Sequence, residues 1–332
     1  MNMESVLSRL TLFNHSLVPP QNVFFAASVK HRLLVQAPPK GGATLAIQLI
    51  IRADGLEAAA SAHVGRKGAS LSDLGELVHG YHSSVVMRHR KAGSCARCSD
   101  EAWSCIKLVR SPFDRVVSSY LRTAADPTGS HLPKMRADGS FSDFVHALEA
   151  RAMLSASKQQ PLANRRKSDH YLPQLRLECD LLRRRDSAQG GSVTNVRMTR
   201  TLGAEDAALP LIPIECFDAA LRQLRSERPA AAYQRLDVRN LSATSHYRAK
   251  MDASAEYGSR LDPVWTWKYS THFSAHRAVP TYSSFLNDTR LRELVARLFS
   301  DDLELYEAAC RQRWLQATEE CIEPCAAVFR HV

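Results

Sequence analysis

The loop Pro39-Lys40-Gly41-Gly42-Ala43-Thr44-Leu45 has the residue types that bind a tetrahedral anion, and it stands between two apolar runs. Its glycines let the backbone approach a ligand closely. The N–H groups at the start of a following helix would face the bound anion. Thr44 can add a hydroxyl donor, and Lys40 adds a compact positive charge. The predicted anion-binding residues of this loop are Lys40, Gly41, Gly42, Ala43, Thr44 and Leu45.

A second candidate turn follows the apolar run that ends at Val109, and its first residue is Arg110. In α/β sheets, ligands bind at the carboxyl ends of the strands. Arg110 is therefore expected to face a ligand, and Ser118, two turns into the next predicted helix, can add a hydroxyl to the same anion. Arg115 or Arg122 is expected instead to pair with a neighbouring carboxylate such as that of Asp114.

Hydrophobic patterning predicts the elements that would position these two turns. The predicted strands are 31–36, 84–87, 103–109 and 211–214. The predicted helices are 44–52, ended by Gly55, one that begins at Pro112, and 141–153, 217–224 and 291–299, the third of them capped by Ser140 or Ser142. The first 30 residues are interpreted as a leader helix or an arm, 155–168 and 183–205 as loops, 226–258 as disordered, and Asp301-Asp302 as a turn.

Strands that alternate with helices favour an α/β fold with a parallel sheet covered on both faces. The domain prediction is an N-terminal arm at 1–30, one domain at 31–310 and a C-terminal tail at 311–332.

The composition is that of a globular protein whose positive net charge favours anionic partners. Net charge is +10, hydrophobic residues make up 45%, and charged residues 23%. No apolar run reaches the roughly 20 residues that a membrane span needs. No secretory signal is recognisable either. The expectation is a chain without a membrane span, in the cytoplasm, or in the Golgi lumen if an anchor has been lost.

The eight cysteines leave the redox state open. A zinc site built from Cys95, Cys98, Cys321 and Cys325 is conceivable, but the usual ligand spacing is incomplete. The alternative is a set of buried thiols or a few disulfides.

Both turns resemble known nucleotide-binding segments. Residues 39–44 resemble the 5′-phosphosulfate loop of the sulfotransferases, usually Pro-Lys-x-Gly-x-Thr. Residues 109–122 resemble the 3′-phosphate segment of the carbohydrate (Golgi-type, family 2) sulfotransferases, Val-Arg-x-Pro-Phe-x-Arg-x-x-Ser-x-Tyr-Arg, with one extra residue before the last arginine. Residues 169–174 are similar to the Asp-x-His-Trp-x-Pro-Gln segment of those enzymes, with Tyr171 in place of the tryptophan. Residues 282–285 and 291–306 look like their C-terminal helices.

The resemblance implies a P-loop-like three-layer αβα fold with a helical C-terminal part and long loops. It implies 3′-phosphoadenosine 5′-phosphosulfate (PAPS) as the sulfate donor, 3′,5′-adenosine bisphosphate (PAP) as the product, and no required metal. Lys40 would stabilise the leaving phosphate in an in-line displacement, because positioning and electrostatics dominate such transfers. The expected partner is an acceptor with a hydroxyl group, in the first place a carbohydrate. No nucleic acid is expected, and the oligomeric state stays open.

An acceptor hydroxyl needs a base, for which histidine and glutamate are suited. His170 is the first candidate because it lies in a segment that matches the family. The alternatives are His79, His82, His89 and Glu57.

Two other functions compete with sulfate transfer. A P-loop kinase or nucleoside triphosphatase is disfavoured because the chain lacks Gly-Lys-Ser/Thr, the sequence that places lysine on the phosphates and a hydroxyl on magnesium. A non-catalytic, basic protein that binds glycans or nucleic acids on a sulfotransferase scaffold is the other. The sulfotransferase hypothesis requires Lys40 and Arg110 to lie close enough for one nucleotide to touch both.

Overall fold

The computed structural model describes residues 24–38, 40–63, 102–125, 139–158, 209–228, 230–236, 280, 282–316 and 318–329. Within these ranges the fold is α/β, with a four-stranded, mostly parallel sheet and helices. The strands, in their order across the sheet, are β1 (Phe24–Ser28), β2 (Leu33–Ala37), β3 (Ser104–Val109) and β4 (Leu211–Pro213). The strand predicted at 84–87 lies outside the described residues.

The strand pairing confirms the parallel arrangement for β2, β3 and β4. Gln36 of β2 lies opposite Lys107 of β3, and Val109 lies opposite Pro213 of β4. β1 pairs antiparallel with β2, which a tight turn permits. Arg32 in that turn has a φ of 50°. Residues 24–28, predicted as part of an arm, are therefore a strand of the sheet.

The helices are α1 (Ala43–Ala53), α2 (Glu57–His63), α3 (Pro112–Ala125), α4 (Phe141–Lys158), α5 (Phe217–Glu227), α6 (Ala231–Gln234), α7 (Thr289–Leu298), α8 (Ser300–Cys310), α9 (Arg313–Gln316) and α10 (Glu319–Phe329). Short 3₁₀ helices cover Ile214–Cys216 and Ser283–Leu286.

Three of these helices correct the sequence predictions. Asp301 and Asp302 do not form a turn but lie in the first turn of α8, where acidic groups complement the helix dipole. The helix α4 runs on through Lys158, into residues predicted as a loop. The short helix α6 lies inside the stretch predicted as disordered.

Two predicted helix ends are confirmed in atomic detail. The Ser140 hydroxyl accepts from the N–H of Asp143, and the Asp143 carboxylate accepts from the N–H of Ser140, a reciprocal N-terminal cap. At the end of α1, Gly55 has a φ of 70°, and its N–H donates to the carbonyl of Arg52 at 2.9 Å. The N–H of Leu56 donates to the carbonyl of Ile51 at 2.8 Å, which completes a Schellman motif.

Hydrophobic packing covers both faces of the sheet. Ile106 and Leu108 of β3 join one buried cluster with residues of α1 and α5. Val109 joins a second cluster with residues of α3, α4, α7 and α8. Alternate strand residues point to opposite faces, so the two clusters lie on opposite sides. Each fully buried aliphatic side chain contributes roughly 1.5–3 kcal/mol, so these clusters hold the strand ends in fixed positions.

The described helices after residue 310, α9 and α10, pack into the two hydrophobic clusters and do not form a separate tail. A disulfide joins Cys216 to Cys321, and another joins Cys310 to Cys325, with Cα–Cα distances of 5.2 and 5.8 Å. The proposed zinc site is therefore wrong for its C-terminal half, because Cys321 and Cys325 are not available as thiolates. Cys95 and Cys98 lie outside the described residues.

Neither a membrane-spanning helix nor a metal-ligand cluster occurs in the described ranges. None of the helices there is long and apolar enough to cross a membrane. No group of three or more His, Cys, Asp or Glu side chains in the same ranges is placed to hold a metal ion.

Candidate functional site

Three polar residues follow the carboxyl ends of three adjacent strands. Lys40 comes shortly after β2, Arg110 directly after β3, and Glu215 two residues after β4. Because β2, β3 and β4 are parallel, these residues lie at one edge of the sheet, where α/β folds bind ligands.

The backbone of the first loop is shaped for an anion. Lys40 has a φ of 62° and Gly42 a φ of 101°, whereas Gly41 between them is not left-handed. Two residues of positive φ thus flank Gly41, and turns that alternate in this way can direct successive N–H groups toward one anion. The N–H of Gly41 donates to the carbonyl of Pro38 at 2.8 Å, which closes the turn.

Both glycines of the loop are required by their surroundings. A Cβ at Gly42 would lie 3.0 Å from Leu108 Cδ1 and 3.3 Å from Ile214 Cγ2, and a Cβ at Gly41 would overlap the ring of Pro38. Gly42 is also the N-cap of α1, so it offers no side chain to cap that helix. The positive end of the α1 dipole therefore faces the loop without a side-chain cap.

The second turn contacts the first directly. Nη1 of Arg110 donates to the backbone carbonyl of Lys40 at 3.0 Å. The guanidinium carbon of Arg110 also lies 5.4 Å from the centre of the Tyr282 ring, within cation–π range. The prediction that Lys40 and Arg110 lie close together is confirmed.

The carboxylate of Glu215 anchors the second turn through hydrogen bonds. The N–H of Ser111 donates to Oε1 of Glu215 at 2.8 Å. The hydroxyl of Tyr306 donates to Oε2 at 3.1 Å. One carboxylate thus connects the end of β3 to α8, with each of its oxygens accepting a hydrogen bond.

The charged groups at this edge shift one another's pKa values. Burial raises the pKa of Glu215 to about 7, repulsion from Asp114 adds to the rise, and Arg110 opposes it. Burial also raises the pKa of Asp114, again against Arg110. Burial by itself would lower the pKa of Arg110, but attraction to Asp114, Tyr282 and Glu215 raises it. Arg110 is therefore a permanent cation, and it interacts with two carboxyl groups whose pKa values are both raised.

The pKa of Tyr306 is raised by burial and by Glu215. Tyr306 therefore stays protonated and acts as a hydrogen-bond donor to Glu215.

Arg115 has a structural role. The sequence predicts that Arg115 or Arg122 pairs with a neighbouring carboxylate, and in the structure Arg115 does so. Its Nη1 donates to Oδ2 of Asp302 at 2.8 Å, and the side chains of Arg115 and Asp302 are 2% and 0% exposed. Ser118 lies on α3, two turns after Arg110, and is buried with 7% of its surface exposed.

Of the candidate bases, only Glu57 lies among the described residues. His170, His79, His82 and His89 lie outside the described ranges. Glu57 begins α2, after the C-terminal end of α1. The 11 residues of α1 extend about 16 Å, so Glu57 follows the end of the helix that points away from Lys40.

Sequence reasoning missed Glu215, Tyr282 and Tyr306 as members of the site. Glu215 could have been found, because it follows a predicted strand and the rule that selected Arg110 applies to it equally. The two tyrosines come from C-terminal segments far along the chain, and no local pattern marks them.

Compared with known proteins, the chain matches no family model, no curated protein and no solved structure. A function therefore has to be inferred from the geometry of this edge and from the two motifs.

Proposed function

We propose that the chain is a sulfotransferase that moves a sulfuryl group from PAPS to an acceptor hydroxyl. The observation that supports this most is the hydrogen bond from Arg110 to the carbonyl of Lys40. It makes two basic turns continuous at one sheet edge, as binding of a single nucleotide with two separated phosphate groups requires.

Each turn takes one end of the nucleotide in this proposal. The loop from Lys40 to Leu45 holds the 5′-phosphosulfate, because its left-handed residues and the α1 N-terminus favour an anion. Arg110 and Ser118 hold the 3′-phosphate. A guanidinium presents five N–H donors in a planar fork, which matches the geometry of a phosphate.

The proposed reaction is an in-line displacement at sulfur. The acceptor oxygen forms a bond to sulfur while the bond between sulfur and the bridging 5′-phosphate oxygen breaks, and PAP leaves with that oxygen. Lys40 stabilises the negative charge that develops there. A base takes the acceptor proton, and His170 is the proposed residue. No step requires a metal.

The finer assignments belong to the same proposal. The fold is a P-loop-like three-layer αβα architecture, and the helices packed on both sheet faces support it. The acceptor is a carbohydrate hydroxyl, which follows from the resemblance of residues 109–122 and 169–174 to the carbohydrate sulfotransferases.

Calorimetry with the full chain tests the nucleotide assignment. PAP is titrated without metal and in EDTA, and ATP is titrated with magnesium. We expect micromolar PAP binding that EDTA does not change. Magnesium-dependent binding of ATP together with absence of PAP binding would replace this proposal with a kinase or nucleoside triphosphatase.

A transfer assay tests catalysis separately. Sulfur-labelled PAPS is incubated with a panel of glycans, phenols and simple alcohols, and labelled product is counted. Transfer to a glycan is the expected result. PAP binding with no transfer to any acceptor, together with salt-sensitive polyanion binding, would favour the non-catalytic alternative.

A further inference from the structure

Glu215 occupies a position that the proposed reaction does not yet use. It follows β4, the strand beside β3, and it is only partly exposed at the sheet edge. Its Oε1 accepts from Ser111, the residue directly after Arg110, and its Oε2 accepts from Tyr306. Taking a carboxylate largely out of water is costly, and here that carboxylate lies under the turn that would hold a phosphate.

We propose that Glu215 is a positioning residue for binding of the nucleotide: it fixes the Arg110 turn against Tyr306 and, when ionised, competes with the 3′-phosphate for the charge of Arg110. This inference rests on the proposed function. The role proposed for Glu215 is positioning and not that of the acceptor's base, because its two oxygens accept from the Ser111 N–H and the Tyr306 hydroxyl.

The positioning role follows from the backbone contact. Ser111 lies between Arg110 and the first residue of α3, so anchoring its N–H fixes the direction in which Arg110 leaves the strand. Without the carboxylate, the Ser111 N–H and the Tyr306 hydroxyl lose the acceptor that they share. Buried donors left without an acceptor are costly, and the turn would shift to satisfy them.

The competing role follows from the charges around Arg110. The groups that act on Glu215 are Arg110 directly after β3, Asp114 from the first turn of α3 and Tyr306 from α8. The helix α10 is joined to the residue after Glu215 by the Cys216–Cys321 disulfide, which does not titrate. One arginine thus faces two carboxyl groups, and a bound phosphate adds further negative charge.

The direction of the pH effect follows from these groups. The pKa of Glu215 is raised to about 7, so the carboxyl is mostly protonated below that pH and ionised above it. A phosphate beside Arg110 opposes ionisation further. PAP should therefore bind more weakly as the pH rises through 7, and binding above pH 7 should take up protons.

The test compares PAP affinities of wild type, Glu215→Gln and Glu215→Ala from pH 6 to pH 8.5 by calorimetry. Glutamine keeps an acceptor for Ser111 and a partner for Tyr306 but cannot ionise. The 3′-phosphate also titrates near pH 6, but equally in all variants, so the ratio of dissociation constants isolates Glu215. Glu227→Gln, which changes an exposed carboxylate at the end of α5, is the matched control.

We expect wild type and Glu215→Gln to bind PAP equally at pH 6. At pH 8.5 wild type should bind PAP about three- to tenfold more weakly than Glu215→Gln. If PAP raises the pKa of a carboxyl group by one, the ionised protein binds PAP tenfold more weakly than the protonated protein. Glu215→Ala should bind PAP about fivefold more weakly than Glu215→Gln at every pH, because neither variant can ionise but alanine also loses the anchor. The ratio for Glu227→Gln should stay at one.

The outcomes separate the two proposals. If wild type binds no PAP at any pH, the proposed function and this inference both fail. If wild type binds PAP but its ratio to Glu215→Gln does not change with pH, or if Glu215→Ala binds as tightly as Glu215→Gln, this inference alone is overturned. If a variant does not fold, the heat of PAP binding to wild type at pH 7.5 in two buffers of different ionisation enthalpy decides: proton uptake supports the inference, and its absence overturns it.

Discussion

At the amino-terminal end of β2, Ser28, His31 and Asp54 form a closed hydrogen-bonded group, whereas at the carboxyl end of the same strand two basic residues, Lys40 and Arg110, lie together. The Ser28 hydroxyl donates to Oδ1 of Asp54 at 2.5 Å, and the His31 N–H donates to the Ser28 hydroxyl at 3.0 Å. His31 Nε2 lies 4.0 Å from the Asp54 carboxylate. Ser28 Oγ is thus both donor and acceptor within this set.

The residue types at the amino-terminal end are those of a catalytic triad, but the arrangement is not. In a triad the imidazole stands between the hydroxyl and the carboxylate. Here the Ser28 hydroxyl donates directly to the carboxylate of Asp54. Residue type alone therefore does not mark a site, and this group serves to connect the β1–β2 turn to the end of α1.

The carboxyl end differs in charge rather than in backbone strain. A residue with a Cβ has a positive φ at both ends of the sheet, Lys40 at 62° and Arg32 at 50°, so this kind of strain does not by itself mark a ligand site. Arg110 lies among carboxyl groups whose pKa values are raised, and perturbed groups concentrate at functional sites. The arginine held among carboxyl groups, rather than polarity or backbone strain, distinguishes the candidate site from the opposite end of the sheet.

The largest expected effect is that of Lys40→Ala on sulfate transfer. Removing a cation that stabilises the leaving oxygen should reduce kcat by about a hundredfold or more. The free energy of unfolding should change little, because Lys40 is not part of either hydrophobic cluster. Turnover measured with labelled PAPS and unfolding measured in urea check both parts.

Lys30→Ala is the control for this prediction, since Lys30 is an exposed lysine in the turn at the opposite end of the sheet. It should leave kcat unchanged. Normal turnover by Lys40→Ala would contradict the proposed mechanism.

Much of the candidate site could be predicted because its two turns are local in sequence. The Lys40 loop and the Arg110 turn each lie within a few residues of a strand and a helix, so hydrophobic patterning and turn chemistry place them. Their meeting follows from the parallel pairing of β2 and β3. Glu215 obeys the same rule and could have been selected with them.

The remaining parts could not be predicted because they depend on contacts between distant segments. The tyrosine over Arg110 and the tyrosine bonded to Glu215 come from the C-terminal third, and only the tertiary fold brings them to the sheet edge. The strand β1 pairs through its backbone at the edge of the sheet, which a mixed sequence in the first 30 residues does not reveal. The two disulfides likewise depend on geometry, not on cysteine spacing.

A second prediction compares the two ends of α1 by substitution of glycine. Gly42 and Gly55 both have positive φ, 101° and 70°, so alanine at either position should cost about 1–2 kcal/mol of unfolding free energy. The two positions differ in the space available for a side chain. A Cβ at Gly42 would contact Leu108 and Ile214, whereas a Cβ at Gly55 would have no neighbouring atom within 4 Å.

Only Gly42→Ala should also weaken PAP binding, by about fivefold to tenfold, because it distorts the anion loop. Gly55→Ala should leave the dissociation constant for PAP unchanged while lowering stability. Calorimetry and urea unfolding on both variants separate the effects. Equal losses of affinity would mean that the loop is not the binding element.

The smallest expected effect is that of Asp54→Asn at the closed end of the sheet. Asparagine can still accept from Ser28, so only the extra strength of a charged acceptor is lost, on the order of 1 kcal/mol. Asp54 is also the C-cap of α1, where a negative charge opposes the helix dipole by a few tenths of a kcal/mol. These two effects have opposite signs, so the net loss of stability should be about 0.5 kcal/mol.

Asp54→Ala is the stronger comparison, because it removes the acceptor of a buried hydroxyl, and it should cost about 1–3 kcal/mol. Neither variant should change the PAP dissociation constant by more than about twofold, since the 11-residue α1 separates Asp54 from the Lys40 loop. A larger change would show that strain at the carboxyl end depends on the hydrogen bonds at the amino-terminal end, and that α1 transmits it.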